Sequence, residues 1–231
     1  MHFVFDVDGT LTPSRQPIDP SFQTWFLSFI QNNHVSLVTG SDIAKTREQL
    51  GMMITGNVDY CFNCSGSDAW KGSKNFYTSE WKLPVEAEEM LGTELAQSKF
   101  PLRTGLHFEH RPGMCNFSVV GRNATMAERK MYVAWDTDKN ERVRIAKLFK
   151  KQFPEIEALV GGETGIDIFP KGKDKAQILD WIDGEIVFFG DRMDEDGNDY
   201  PLKKVIVDNN RGTCYHVSDY KETWEILRKY L

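Results

Sequence analysis

The chain has 231 residues, 40 % hydrophobic and 27 % charged, which excludes disordered, collagen-like and coiled-coil classes and suffices for one large domain or a core with an insert. Lysine plus arginine number 28 against 34 aspartate plus glutamate, a net charge of −6, so a basic face for duplex nucleic acid is not expected. No apolar run reaches the roughly 18 residues of a membrane span, no secretory signal opens the chain, and four scattered cysteines are too few for a disulfide framework. We therefore expect a cytoplasmic protein with reduced thiols and with neither a membrane nor a nucleic acid as partner.

An apolar run at 2–7 ends abruptly in acidic and small residues, the pattern of a strand buried on both faces. Residues 19–32 place Phe22, Trp25, Phe26, Phe29 and Ile30 at helical spacings of three and four. A second apolar run at 35–38 ends in Thr39-Gly40-Ser41-Asp42. A helix is predicted to open at Ser41 or Asp42 and to run to about Leu50, before Gly51. A third strand is predicted at 60–63. This alternation predicts a doubly wound, Rossmann-like parallel sheet. Ligands bind such sheets beyond the carboxyl ends of their strands, where Asp6-Val7-Asp8 and Thr39-Gly40-Ser41 stand.

The middle of the chain reads differently. It suggests a helix at 84–98, short strands at 107–109, 114–120 and 166–169, and a charged helical stretch at 138–153. The alternation then resumes with a helix at 174–182 and a strand at 186–189 that ends in Gly190-Asp191. A strand at 204–207 and a helix from Asp219 close the chain. The expected organisation is an α/β core of residues 1–79 and 173–231, with an α+β cap inserted over 80–172.

The sharpest chemical feature is Asp6-Val7-Asp8-Gly9-Thr10. Two carboxylates two residues apart after a strand converge on one site, and buried like charges need a cation. Mg²⁺ suits carboxylate and phosphate oxygens. One aspartate can then attack phosphorus while the other moves protons. Asp191, with Asp194, Asp196, Asn198 and Asp199 behind it, supplies further oxygen ligands; Thr39 and Ser41 supply hydroxyls, and Lys175 a cation. Other signals carry less. Asp194 to Asn198 lacks the twelve-residue spacing of a calcium loop. Cys61 and Cys64 form a lone CxxC, and Cys61 reads as core. His107 and His110 read as structural or solvent-facing.

In this order the motifs resemble the haloacid dehalogenase superfamily of phosphatases and phosphomutases. The resemblance implies a nucleophilic Asp6 that becomes an aspartyl-phosphate and a general acid/base Asp8. It implies Mg²⁺ held by Asp6, Asp8 and Asp191 with Asn198 or Asp199, and phosphoryl oxygens held by Thr39, Ser41 and Lys175. The strings FDVDGTLTPSRQPI, TGSDIAKTREQLG, HFEHRPGMCNFSVVGR, GGETGIDIFPKGKDKAQIL and FFGDRMDEDGNDY resemble the eukaryotic-type phosphomannomutases more closely. That resemblance implies that Arg15, Arg111, Arg122 and Arg129 bind the substrate's distal phosphate and sugar. Asp167 matches a sugar-hydroxyl ligand, and Asn116 lies in the same cap motif. It also implies a hexose 1,6-bisphosphate activator and a homodimer formed through the cap.

The expected activity is interconversion of mannose 6-phosphate and mannose 1-phosphate. The alternative is a sugar-phosphate phosphatase, which shares the first step and ends with water. Thr39, where the family usually has glycine, and Gly165, where it has serine, lean toward the phosphatase relatives. A second, arginine-held phosphate site would distinguish the two, because a mutase must bind a bisphosphate by either end.

Overall fold

The computed structural model describes residues 1–230. Its larger sheet has seven strands: β1 (His2–Phe5), β2 (His34–Val38), β3 (Tyr60–Asn63), β4 (Asp68–Lys71), β5 (Lys74–Thr78), β10 (Ile186–Gly190) and β11 (Gly212–His216). Their spatial order is β11-β10-β1-β2-β3-β4-β5. The five strands from β11 to β3 run parallel, and β4 and β5 add an antiparallel hairpin at one edge. β1 lies inside the sheet, and the alternation of a strand sends its side chains to two cores. Phe3 and Phe5 join one core with Phe22, Phe26, Phe29 and Phe189. Val4 joins the other with Phe188, Leu202 and Ile206.

The helices on these faces follow from their sequence. In α1 (Pro20–Asn32), Asp19 accepts hydrogen bonds from the Ser21 and Phe22 amides, and Phe22, Phe26, Phe29 and Ile30 are buried. A short acidic side chain before proline is a strong helix start. α2 (Ile43–Asn57) is capped by Asp42. It does not stop before Gly51 as predicted: the chain breaks at Gly51 (φ 78°, ψ 160°) and resumes helix to Asn57. α7 (Tyr220–Leu227) opens on Asp219, as expected.

A second sheet, β6 (Phe108–Arg111), β7 (Met114–Phe117), β8 (Ile156–Gly161) and β9 (Gly165–Pro170), is antiparallel in the order β6-β7-β9-β8. One face buries Cys115, Phe117, Ala158, Ile166 and Ile168. It packs with residues of α3 (Val85–Gln97), α4 (Met126–Lys139) and α5 (Glu141–Gln152), among them Leu91, Tyr132 and Phe149. Register puts Glu109 opposite Asn116, Arg111 opposite Met114, and Asn116 opposite Asp167. The polar residues of these three strands therefore share the other face, which meets the larger sheet.

Other expectations need correction. Residues 204–207 lie in α6 (Tyr200–Asp208), not in a strand. The β-branched run Val205-Ile206-Val207 misled; Pro201 in the first turn and buried Leu202 and Ile206, four apart, mark the helix. The strand of this region is β11, further on. Residues 174–182 form a 3₁₀ helix over Lys175–Asp180. The stretch at 138–153 is split by Asn140, whose left-handed backbone (φ 51°) separates α4 from α5. The β4–β5 hairpin, α4 and β8 were not expected. No helix among the described residues is long and apolar enough to cross a membrane.

Candidate active site

Asp6 follows β1 directly and is 5 % exposed. Its Oδ1 accepts from Lys175 Nζ at 2.7 Å, and the same nitrogen donates to Asp199 Oδ1 at 2.7 Å. Burial opposes charge on Lys175, but Asp199 and Asp6 outweigh it and hold the ammonium above its ordinary range. Asp6 is pushed up by burial, against the pull of Lys175, and further by Asp199 and Asp191. Asp191 is pushed up to about 7 by burial and by Asp199, with Lys175 and Arg192 opposing. Oxygens of Asp6, Asp191 and Asp199 lie within 4.8 Å of one another. Three carboxylates around one ammonium leave negative charge in a buried place, the condition a bound cation relieves.

Local chain geometry makes this convergence possible. Gly9 has φ +82°, and a Cβ there would stand 2.5 Å from Asp191 Oδ2. A Cβ at Gly190 would stand 2.5 Å from Asp199 Oδ2. Asp199 is fixed from its other oxygen by the Arg192 amide at 3.0 Å. Asn198 Nδ2 donates to Asp167 Oδ2 at 3.2 Å, while its buried Oδ1 has no protein partner. Asn198 lines the same cavity as Asp6 and Asp191, and an amide oxygen added to these carboxylates would make a hard donor set that fits Mg²⁺.

Asp8 stands apart from that trio. Its Oδ1 accepts from the Arg15 amide at 2.6 Å and Gln49 Nε2 at 3.0 Å, and its Oδ2 faces Ser41 Oγ at 3.5 Å. Thr39, 1 % exposed, accepts the Ser41 amide on its Oγ1 at 3.1 Å. The loop after β2 thus presents two hydroxyls beside Asp6 and Asp8 in one cavity.

The facing wall of that cavity is basic. Arg15, Arg111, Arg122 and Arg129 all line it, together with Asn116 and Asp167. Glu109 pairs with Arg111 through Nε (3.1 Å) and Nη2 (2.9 Å), and with Arg122 through Nε. Burial alone would raise Glu109, but Arg111 and Arg122 bring it down to about 2. Arg15 is lowered to about 10 by burial and by the charges of Arg122 and Arg129, against Glu109 and Asp8. Mutual repulsion among guanidinium groups marks a place prepared for an anion. The two walls are tied together: Arg111 donates to the Gly40 carbonyl, Arg15 Nη1 to the Arg122 carbonyl at 3.1 Å, and the Val160 amide to the Asp196 carbonyl at 3.2 Å.

Residues 23–231 match the family described as eukaryotic phosphomannomutase. The chain belongs to this family. The phosphomannomutase of Saccharomyces cerevisiae is 34 % identical over 97 % of this chain and 91 % of its own length. That of Arabidopsis thaliana is 34 % identical over 86 % of this chain and 85 % of its own. Distant solved structures share the haloacid dehalogenase fold alone. The sucrose-phosphatase of Synechocystis sp. PCC6803 has a TM-score of 0.58 at 12 % identity, covering 100 % of this chain and 97 % of that one. An IMP-nucleotidase of Plasmodium falciparum has a TM-score of 0.64 at 14 % identity, covering 99 % and 67 %.

The candidate catalytic, phosphate-, substrate- and metal-binding residues lie in or beside this one cavity, Lys175 and Asp199 standing behind Asp6. Asp194 and Asp196 do not join the ligand set: neither lines the cavity, and Asp194 pairs with Arg192 at the surface. Within this phosphomannomutase family fold, three further polar residues belong to the site. Gln49 bonds Asp8 and Thr12 from α2; it lies seven residues after Asp42, on the helical face that looks back to the strand ends. Glu109 stands two before Arg111, the strand period that puts them on one face. Glu163 lines the cavity from a glycine-rich turn, and nothing in its local sequence distinguishes it from a solvated carboxylate.

Proposed function

We propose that the chain is a Mg²⁺-dependent phosphomannomutase interconverting mannose 6-phosphate and mannose 1-phosphate, primed by a hexose 1,6-bisphosphate. The observation that carries this reading is the second anion site: four arginines share one cavity with Asp6 and Asp8. Arginine gives planar, bidentate recognition of phosphate. A phosphatase needs to grip only the phosphoryl group it removes. A mutase must also hold the far phosphate, whichever way round the sugar lies.

Lys175 engages Asp6 by Oδ1, which leaves Oδ2 as the oxygen that attacks phosphorus. The aspartyl-phosphate forms as the bond to the sugar oxygen breaks, and Asp8 gives that oxygen a proton. The bisphosphate route reverses this: Asp8 takes the proton of the attacking hydroxyl, and the phosphoryl group leaves Asp6. Gln49 and the Arg15 amide keep Asp8 aimed. Thr39, Ser41 and Lys175 hold the transferring phosphoryl oxygens. Asp6, Asp191 and the oxygens of Asn198 or Asp199 would hold Mg²⁺, with Asp8 beside them. Bound there, the ion neutralises charge on the phosphoryl oxygens. Residues 80–172 act as the cap, excluding water that would otherwise hydrolyse Asp6 phosphate. We further infer a homodimer through the cap and a cytoplasmic setting, the latter resting on the free, buried thiols of Cys61, Cys64 and Cys115.

The test is phosphorus NMR of the protein with Mg²⁺, mannose 1-phosphate and a trace of glucose 1,6-bisphosphate. Mannose 6-phosphate, formed only with the bisphosphate, is the expected product. Inorganic phosphate alone would replace this reading with the phosphatase.

A further inference from the structure

The carboxylates that meet the arginine cluster are of two kinds. Glu109 stands outside the cavity lining and binds the Nε and Nη2 edge of Arg111 and the Nε edge of Arg122. It belongs to the wall. Glu163 lines the cavity itself. Its Oε2 accepts from Arg129 Nε at 3.2 Å and stands 3.1 Å from Nη2 in an ion pair, and Thr164 Oγ1 accepts from Nη1 at 3.1 Å. All three nitrogens of Arg129, a side chain only 4 % exposed, are therefore engaged by the turn between β8 and β9.

The Glu163 carboxylate occupies the Nε and Nη2 edge of Arg129, which is a guanidinium edge that grips phosphate. Glu163 is 38 % exposed, so it can leave that edge for water at small cost. The turn faces open space on one flank. Gly162 beside it has φ +53°, and a Cβ there would meet nothing within 4 Å. Arg129 is different: it is buried and stays.

We propose that Glu163 is an affinity-determining residue, an internal anion that competes with the distal phosphate of the substrate for Arg129. The proposal rests on the reading of this cavity as a phosphosugar site. It gives the competition a purpose. A mutase must release the far phosphate so that the bisphosphate can turn round, and four unopposed arginines would retain it. A carboxylate that retakes Arg129 weakens that hold.

The sign of the effect decides the matter. Binding of glucose 1,6-bisphosphate, with Mg²⁺, is measured by calorimetry in the Asp6→Asn background, where no phosphoryl group is transferred. Glu163→Gln and Glu163→Ala are each expected to tighten binding about three- to tenfold, while Arg129→Ala weakens it. Thermal melts of each variant show that it is folded. If Glu163 only orients Arg129, both Glu163 variants weaken binding; that result, or no change in either, overturns the proposal. If the Asp6→Asn protein binds no phosphosugar with Glu163 intact or replaced, the reading of the cavity fails and the proposal with it.

Discussion

The two walls of the cavity are built with opposite charge. On the strand-end wall, Asp6 and Asp199 share one buried ammonium, and Asp191 stands within reach of both. Two of these carboxylates are approached by backbone at distances that leave no room for a side chain, Asp191 by Gly9 and Asp199 by Gly190. On the facing wall four arginines gather, Arg15 from the loop after β1 and Arg111, Arg122 and Arg129 from the segment of the second sheet, tempered by two glutamates, one structural and one facing the cavity. The difference teaches how one cavity does two tasks. Chemistry needs a nucleophile fixed to a fraction of an ångström and a cation to complete its field. On the proposed reading, holding a second phosphate needs planar guanidinium groups with excess positive charge.

The sharpest way to break the comparison is to strike each wall separately. Asp6→Asn removes the nucleophile and leaves the arginines. We expect at least about 10³-fold loss of phosphoryl transfer, with no phosphate carried on the protein, while phosphosugar binding survives. Substantial turnover in that variant would take the nucleophile's role away from Asp6. Arg122→Ala does the reverse. Mutase kcat/KM is expected to fall about 10²-fold, the worth of a charge-assisted contact to phosphate, while Mg²⁺-dependent hydrolysis of a small phosphate ester stays within about twofold. Equal loss of both activities would show that the two walls are not separable.

The strand-end wall was legible in the sequence because its chemistry is concentrated in short strings. Asp6 and Asp8 follow a strand by position alone, and Asp191 ends another. The facing wall was legible only through longer strings, since Arg15, Arg111, Arg122 and Arg129 lie on separate elements that no local period connects. Elements whose propensity and context disagreed were missed. Val205-Ile206-Val207 has strand composition, yet the buried pair Leu202 and Ile206 fixes it as helix. The β4–β5 hairpin sits at a sheet edge with alternating exposure, a weak apolar signal. Gln49 and Glu163 were invisible for a related reason: each acts through a partner distant in sequence, Asp8 and Arg129, whereas Glu109 had a local signal in its strand spacing to Arg111.

The charge of the strand-end wall sharpens the comparison through metal removal. Asp6 and Asp191 are pushed up by burial and by neighbouring carboxylates, so a cation that binds the folded form should stabilise it. At a concentration about 100 times its Kd, a ligand adds about 2.7 kcal/mol, roughly 5–10 °C in Tm for a chain of this size. Melting in Mg²⁺ against chelator measures this, and Asp191→Asn is expected to erase most of the difference. An unchanged Tm across a full Mg²⁺ titration would remove the cation from this wall.

The facing wall responds to acid instead. Glu109 is held at about 2, below its ordinary 4.5, by Arg111 and Arg122 acting against burial. A depressed carboxylate contributes stability that is fully present above its unfolded value and is lost as protons reach it in the folded state. Its contribution is therefore intact above about pH 5 and drains away as pH falls from about 4.5 toward 2. Screening at a side chain 30 % exposed limits the effect to roughly 2 kcal/mol. Glu109→Gln should lower stability at pH 7 and converge on the wild type near pH 2, followed by denaturant unfolding across that range. Parallel curves, with the variant displaced equally at every pH, would mean that Glu109 matters for its shape and not for its charge, and that the arginines hold their places without it.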